Sequence, residues 1–149
     1  MSTSVSAHDL QQFLNDAFPN STVTIEEIDE DGIGIRQGVT LEHLRPGGTV
    51  SGPTMMATAD CAAYVAVLAK IGIVPLAVTT SLNINFLRKP SPDRAIQGRA
   101  RLLKLGRRLA VSEVNIYSEG DPDPVAHAIV TYAIPSPDSS ISTAYEPSA

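Results

Sequence analysis

Asp60 stands in the middle of a long apolar stretch, flanked by Met55, Met56, Ala57, Ala59, Cys61 and Ala62. A carboxylate there has low helix propensity and a poor solvation environment. It needs either a hydrogen-bond partner or a task. A polar side chain one turn on, Tyr64, is one candidate partner. The alternative is chemistry: a general base or a nucleophile in a partly desolvated cleft. Upstream lies a glycine-rich loop, Arg45 to Gly52, ending in Ser51-Gly52-Pro53. Proline suits a first helical position, so a helix starts here. Its unpaired N–H groups and partial positive charge can bind a carbonyl oxygen that becomes an oxyanion. Pro53 has no N–H, which leaves Gly52 as the donor, and a glycine lets a ligand approach without a Cβ in the way. Ser51 and Pro53 also read simply as a good helix cap.

The spacing between these groups limits what they can do together. Asp60 lies eight residues beyond Gly52, or roughly 12 Å along a helix at about 1.5 Å per residue. One reacting carbonyl cannot lie within hydrogen-bond reach of both. If both act, they come from different subunits, so the arrangement implies an oligomer on that condition. Other nucleophiles fit less well. Cys61, the single cysteine, follows Asp60 in the apolar run and reads as a small buried hydrophobe. Ser51 lacks the G-x-S-x-G spacing of a nucleophile elbow. His8, His43 and His127 are scattered, without the ligand spacing of a structural zinc, so no metal site is expected.

The elements around this segment follow from periodicity. Residues 7–18 form a short amphipathic helix through Leu10, Phe13, Leu14 and Ala17. Strands are expected at 22–28 and 32–39, joined by Asp29-Glu30-Asp31-Gly32, a hairpin signal. The helix that begins at Pro53 runs to about Ile71 and stops at Gly72, apolar on all sides. Four strand-like runs follow, at 77–87, 94–105, 107–118 and 124–134, with Gly106 as a tight turn. The first alternates Val78, Thr80, Leu82, Ile84 and Phe86 against Thr79, Ser81, Asn83 and Asn85. Hairpin succession predicts an α+β fold: an antiparallel sheet curved around one long central helix, the hotdog arrangement. One domain spans 1–135, and the polar, Pro/Ser-rich residues 136–149 are expected to be a disordered tail.

Bulk properties bound the function. The chain has 149 residues, 43% hydrophobic and 18% charged, with a net charge of −5. The stretch from Pro53 to Leu76 is apolar enough to suggest a membrane span, but Asp60 at its centre and the breaks at Gly72 and Pro75 favour a buried core helix. The N-terminus has no basic segment followed by an apolar run, so no secretory signal is expected and the cytoplasm is the expected compartment. Charge is unevenly spread. Eight acidic residues precede Arg45 against Arg36 alone, whereas eight of the eleven basic residues fall between Arg88 and Arg108. Such a cluster suits an anionic partner. A nucleic acid fits poorly, given no tryptophan, seven Phe and Tyr residues and a negative net charge.

Gly48-Thr49-Val50-Ser51-Gly52 followed by Ala57-Thr58-Ala59-Asp60 resembles the G-T-x-H-G-G…A-D signature of PaaI-like hotdog acyl-CoA thioesterases. The resemblance continues through Ala77 to Pro90 and through Lys104-Leu105-Gly106-Arg107-Arg108, and covers about Gly32 to Tyr132. It implies that Asp60 attacks the thioester or activates water. It implies also that the Gly52 N–H of a partner subunit holds the oxyanion, and that Thr79 holds the water or the carboxylate. The family's usual histidine is Ser51 here, its second glycine is Pro53, and an upstream asparagine falls at Arg45. Ser51 is left either to bond the thioester or to cap the helix. Coenzyme A, as part of the substrate, would be the only cofactor-like group. Its phosphates suit Arg88, Lys89, Arg107 and Arg108. Assembly as a homodimer or homotetramer is expected, with no membrane partner. Two alternatives accompany hydrolysis: an acyl-CoA-binding or sensing protein without turnover, and a hotdog enoyl-CoA hydratase or dehydratase. The latter requires a histidine near Asp60, for which His127 is the candidate.

Overall fold

The computed structural model describes residues 5–136. Apart from Ser136, the segment expected to be a disordered tail lies outside the described residues. The first helix, α1 (Ala7–Ala17), begins at Ser6, whose side chain accepts a hydrogen bond from the Asp9 N–H at 3.0 Å, satisfying one of the helix's free donors. It buries Leu10, Phe13 and Leu14. Strands β1 (Val23–Asp29) and β2 (Gly32–Gln37) form the expected hairpin. The Asp29 carboxylate accepts from the N–H groups of Asp31 and Gly32 at the turn. A Cβ at Gly32 would collide with the Ala100 carbonyl oxygen, so only glycine fits there. A short hairpin, β3 (Leu44–Arg45) and β4 (Thr49–Val50), then leads to α2 (Gly52–Ile71).

Helix α2 is the core. Ala59, Ala62, Ala63, Val65, Val67 and Leu68 are inaccessible to solvent. It is long and apolar enough to cross a membrane. Here it lies instead against the strands of one sheet, and its alanines allow close approach. At Gly98 the missing side chain makes room for Ala62, whose Cβ would stand 3.2 Å from an added Cβ. Gly72 ends the helix, with φ +95° and its N–H bonded to the Leu68 carbonyl.

The remaining strands are β5 (Val78–Phe86), β6 (Ile96–Leu105), β7 (Leu109–Ser118) and β8 (Pro124–Ala133). All pairings are antiparallel, and the six-stranded order is β1-β2-β6-β7-β8-β5. This is the hotdog fold that the sequence pattern predicts. Hairpin succession, however, holds only from β6 to β8. The chain leaving β5 crosses through residues 87–95 to the opposite side of β7 and β8. Thus β5 pairs with β8 and ends the sheet. The two prolines of that segment, Pro90 and Pro92, suit such a crossover and bar a tight hairpin.

The simple alternation expected for β5 is also corrected. Its register against β8 shifts between Thr79 and Ser81, leaving Thr80 as a bulged residue. A bulge reverses the inside–outside parity beyond it. Leu82 and Ile84 are half-buried toward the helix, as expected, but at the other side of the bulge it is Thr79 that turns inward while Val78 and Thr80 are exposed.

Candidate active site

Helix α2, continuous from Gly52 to Ile71, carries both candidate groups of the sequence reading. Asp60 is half-buried and faces a cleft of about 460 Å³. The bulge aims Thr79 at it, and the Thr79 hydroxyl donates to Asp60 Oδ1 at 2.6 Å. A second donor, absent from the sequence reading, is Tyr132 on β8. Its hydroxyl lies 2.7 Å from the same Oδ1 and 3.1 Å from the Asp60 backbone carbonyl. Oδ2 receives no hydrogen bond among the described residues. Tyr64, the partner that sequence spacing offered for Asp60, instead donates to the Pro75 carbonyl at 3.1 Å.

The cleft is otherwise apolar and aromatic. Phe18 at the end of α1, Tyr64 and Tyr132 line it together with Leu14, Val23 and Ala77. Phe13 and Phe18 pack on Tyr64 with ring centroids 6.1 and 6.2 Å away, and Tyr64 stacks on Tyr132 at 5.6 Å. Asp60 is the only Asp, Glu, Lys, Arg or His that lines the cleft. The environment acts on the other titratable groups. Burial first, then the neighbouring Asp60 charge, pushes the Cys61 thiol up to about 12. Burial likewise pushes the Tyr64 phenol up to about 12. Tyr132 is held well above the usual phenol range by burial, and its bond to the Asp60 carboxylate adds to this. These three groups are therefore neutral at physiological pH and act as donors or packing, not as nucleophiles.

Gly52 faces elsewhere. It lines a second cleft, of about 470 Å³, with Arg45, Phe86, Arg88 and Lys89. The Phe86 ring lies 3.4 Å from where a Gly52 Cβ would be. Within one chain, Gly52 and Asp60 therefore serve separate clefts, as the helical rise required. Ser51 caps α2: its Oγ accepts from the Thr54 N–H at 3.2 Å and lies 2.8 Å from the Thr54 hydroxyl. The four basic residues also divide. Arg88 and Lys89 are exposed beyond the Phe86 end of β5, where Arg88 stands 3.4 Å from Asp123. Arg107 and Arg108 occupy the β6–β7 turn, beside the register pairs Leu109–Ala133 and Ala133–Val78. The two pairs sit at opposite ends of the strands, separated by roughly 25 Å at about 3.3 Å per residue. Within one chain they form no single patch.

His127 does not approach Asp60. It sits on the outer face of β8, with Nε2 3.1 Å from Glu113 on β7. The inward positions of β8 are Ala126, Ala128, Val130 and Tyr132. The histidine needed for a hydratase dyad is thus removed by strand parity. Met55 lines the Gly52 cleft and Tyr64 the Asp60 cleft, whereas Val67 and Leu68 are wholly core.

An antiparallel sheet around a central helix defines a hotdog protein, and the carboxylate facing its apolar cleft is the candidate site. Comparison with known proteins gives the family. The thioesterase superfamily matches residues 47–125. A candidate thioesterase from Silicibacter sp. TM1040 is 45% identical, with a TM-score of 0.80 over 88% of this chain and 92% of that one. A thioesterase from Haemophilus influenzae shares the fold at 20% identity, with a TM-score of 0.81 and coverage of 93% and 96%. So does a variant of the phenylacetic acid degradation protein PaaI from Thermus thermophilus, at 24% identity, a TM-score of 0.68 and coverage of 80% and 98%. A search of curated protein sequences finds no match. The chain belongs to the thioesterase superfamily and is a hotdog-fold thioester hydrolase.

Proposed function

We propose that the thioester is an acyl-CoA, hydrolysed to a carboxylic acid and free coenzyme A, with Asp60 as the reacting carboxylate. The observation that carries this reading is the pair of hydroxyl donors on one oxygen of a carboxylate that opens onto an apolar cleft. The acyl group would enter the cleft, and the carbonyl carbon would come to Asp60. Two routes lead to the products. Oδ2 can add to the carbonyl carbon and expel the thiolate, which takes a proton from solvent, before water cleaves the resulting anhydride. Alternatively, Oδ2 takes a proton from water as the oxygen of that water adds and the thiolate leaves.

A second subunit completes the site in this reading. Strand β5 ends the sheet, and residues 71–87 carry no charge. Val78, Phe86 and Leu87 are about half exposed, at 53%, 49% and 54%. Antiparallel pairing of β5 with a second β5 would exchange the ends of the strand. The Phe86–Gly52 end of one copy would then meet the Thr79–Asp60 end of the other. The same operation would bring Arg88 and Lys89 of one copy toward the end that holds Arg107 and Arg108 of its partner. One dimer would thereby place an oxyanion donor opposite the carboxylate and gather basic groups for the phosphates of CoA.

The test is release of free thiol from short, medium, long and aryl acyl-CoAs. Turnover of at least one class, lowered by two orders of magnitude or more in Asp60→Asn with CoA binding retained, is expected. Undiminished turnover in that variant would remove Asp60 from the reaction. Ser51 spends its hydroxyl on the cap, and Pro53 offers no N–H. That observation favours the binding-protein alternative, for which the sign is CoA binding without release from any member of the panel.

A further inference from the structure

Tyr132 is 4% exposed, and its hydroxyl is aimed at the carboxylate from the strand neighbouring β5. It is the direct register partner of Thr79. Both donors to Asp60 therefore come from one cross-strand pair, fixed in place by the ladder on one side and by the Thr80 bulge on the other. A carboxylate oxygen has two lone pairs in its plane, and here both are engaged on Oδ1. Oδ2 is left without a protein donor among the described residues. Oδ2 keeps access to solvent and is the oxygen presented to the cleft.

We infer that Tyr132 is a positioning residue which, with Thr79, saturates Oδ1 of Asp60 and so makes Oδ2 the oxygen that reacts. The inference rests on the proposed role of Asp60. Tyr132 acts here through Asp60 and not on the reacting atoms. Its stacking on Tyr64 fixes the direction of the phenol, and burial keeps the proton on it. The rotation of the carboxylate is then frozen before substrate arrives, and the charged form of Asp60 keeps a charge-assisted donor. Around the carboxylate, the titratable or charged groups of the cleft are Cys61 and Tyr64 on α2 and Tyr132 on β8; α1, the β1–β2 hairpin and β5 contribute none. Removing the Tyr132 hydroxyl thus alters the protonation of Asp60 without a competing charge nearby.

The experiment compares wild type, Tyr132→Phe, Thr79→Val and Asp60→Asn in thiol release across pH, together with carbon-13 titration of labelled aspartate by NMR. Tyr132→Phe removes one oxygen and no packing volume, and circular dichroism checks that it folds. The expected result is a kcat lower by about tenfold to hundredfold with KM little changed, as a misoriented reacting group gives. The acid limb of the pH profile and the Asp60 titration midpoint should both move to higher pH, because a donor to the charged form is lost. Thr79→Val should move both in the same direction. A Tyr132→Phe enzyme with unchanged kcat, acid limb and Asp60 midpoint, beside an inactive Asp60→Asn, overturns the inference alone. Full turnover by Asp60→Asn, or no turnover by wild type, overturns the underlying assignment and the inference with it.

Discussion

Beside Asp60, Cys61 is a thiol whose proton is held up to about 12, by burial and then by the Asp60 charge. At a mildly alkaline pH it carries about three orders of magnitude less thiolate than an ordinary cysteine. A native sample should accordingly react slowly with a disulfide reagent at about pH 8, and at one equivalent, promptly, once unfolded in guanidinium. Fast native labelling would show that the thiol, half-buried in the wall of the cleft, is not held up by its surroundings. The same property means that the enzyme's own thiol adds little background when released CoA is titrated. At this scale the sequence was informative for Asp60, because a carboxylate among alanines and methionines is chemically conspicuous. Tyr132 was hidden. It lies 72 residues from Asp60 and follows Ala126, Ala128 and Val130 on the buried face of β8, where an aromatic reads as core. The available signal was its polar tip: it is the one hydroxyl at the end of an otherwise aliphatic inward row.

Among the elements, the outer face of the sheet holds its own network. Glu113 on β7 accepts from Arg101 on β6 at 2.9 Å and lies 3.1 Å from His127 on β8. The bond to His127 and then that to Arg101 hold its carboxyl below the usual range. A carboxyl with a depressed folded value stabilises above its ordinary range, and that stabilisation is lost as pH falls through the depressed value. Glu113→Gln should therefore lower stability by roughly 0.5 kcal/mol at neutral pH, the scale of a solvent-accessible pair. Thermal melts at about pH 7 and about pH 3 test this: the gap between variant and wild type should close in acid. A gap of equal size at both would assign the loss to packing. Element type was legible from period and turn chemistry, and every expected strand lies within two residues of its expected ends. The place of β5 was not, because the choice of partner for a strand depends on where a proline-containing crossover delivers the chain. The bulge at Thr80 was likewise silent, since valine, threonine and leucine continue the alternation across it.

For the whole molecule, the proposed assembly depends on the open edge of β5. Ser81 and Asn83 are exposed on that strand. Replacing both with lysine would set like charges against each other across a two-fold axis, at a cost on the order of several kcal/mol. The double variant should run as a monomer in light scattering, keep its circular dichroism and lose turnover. A dimer that retained turnover would place the pairing surface elsewhere. The other end of the sheet differs. There the Gln11 side chain of α1 accepts from the Ile25 N–H at 2.7 Å and donates to the Val23 carbonyl at 3.1 Å, as a neighbouring strand would. A register shift at Glu26 further spoils β1 as a template. In the language of polymer chemistry, the chain is a monofunctional unit for strand addition. Joining two such units consumes the only reactive end on each, so growth terminates at a pair. A bifunctional unit would go on extending into a fibre, and the Gln11 amide together with the irregularity at Glu26 stands between those two outcomes.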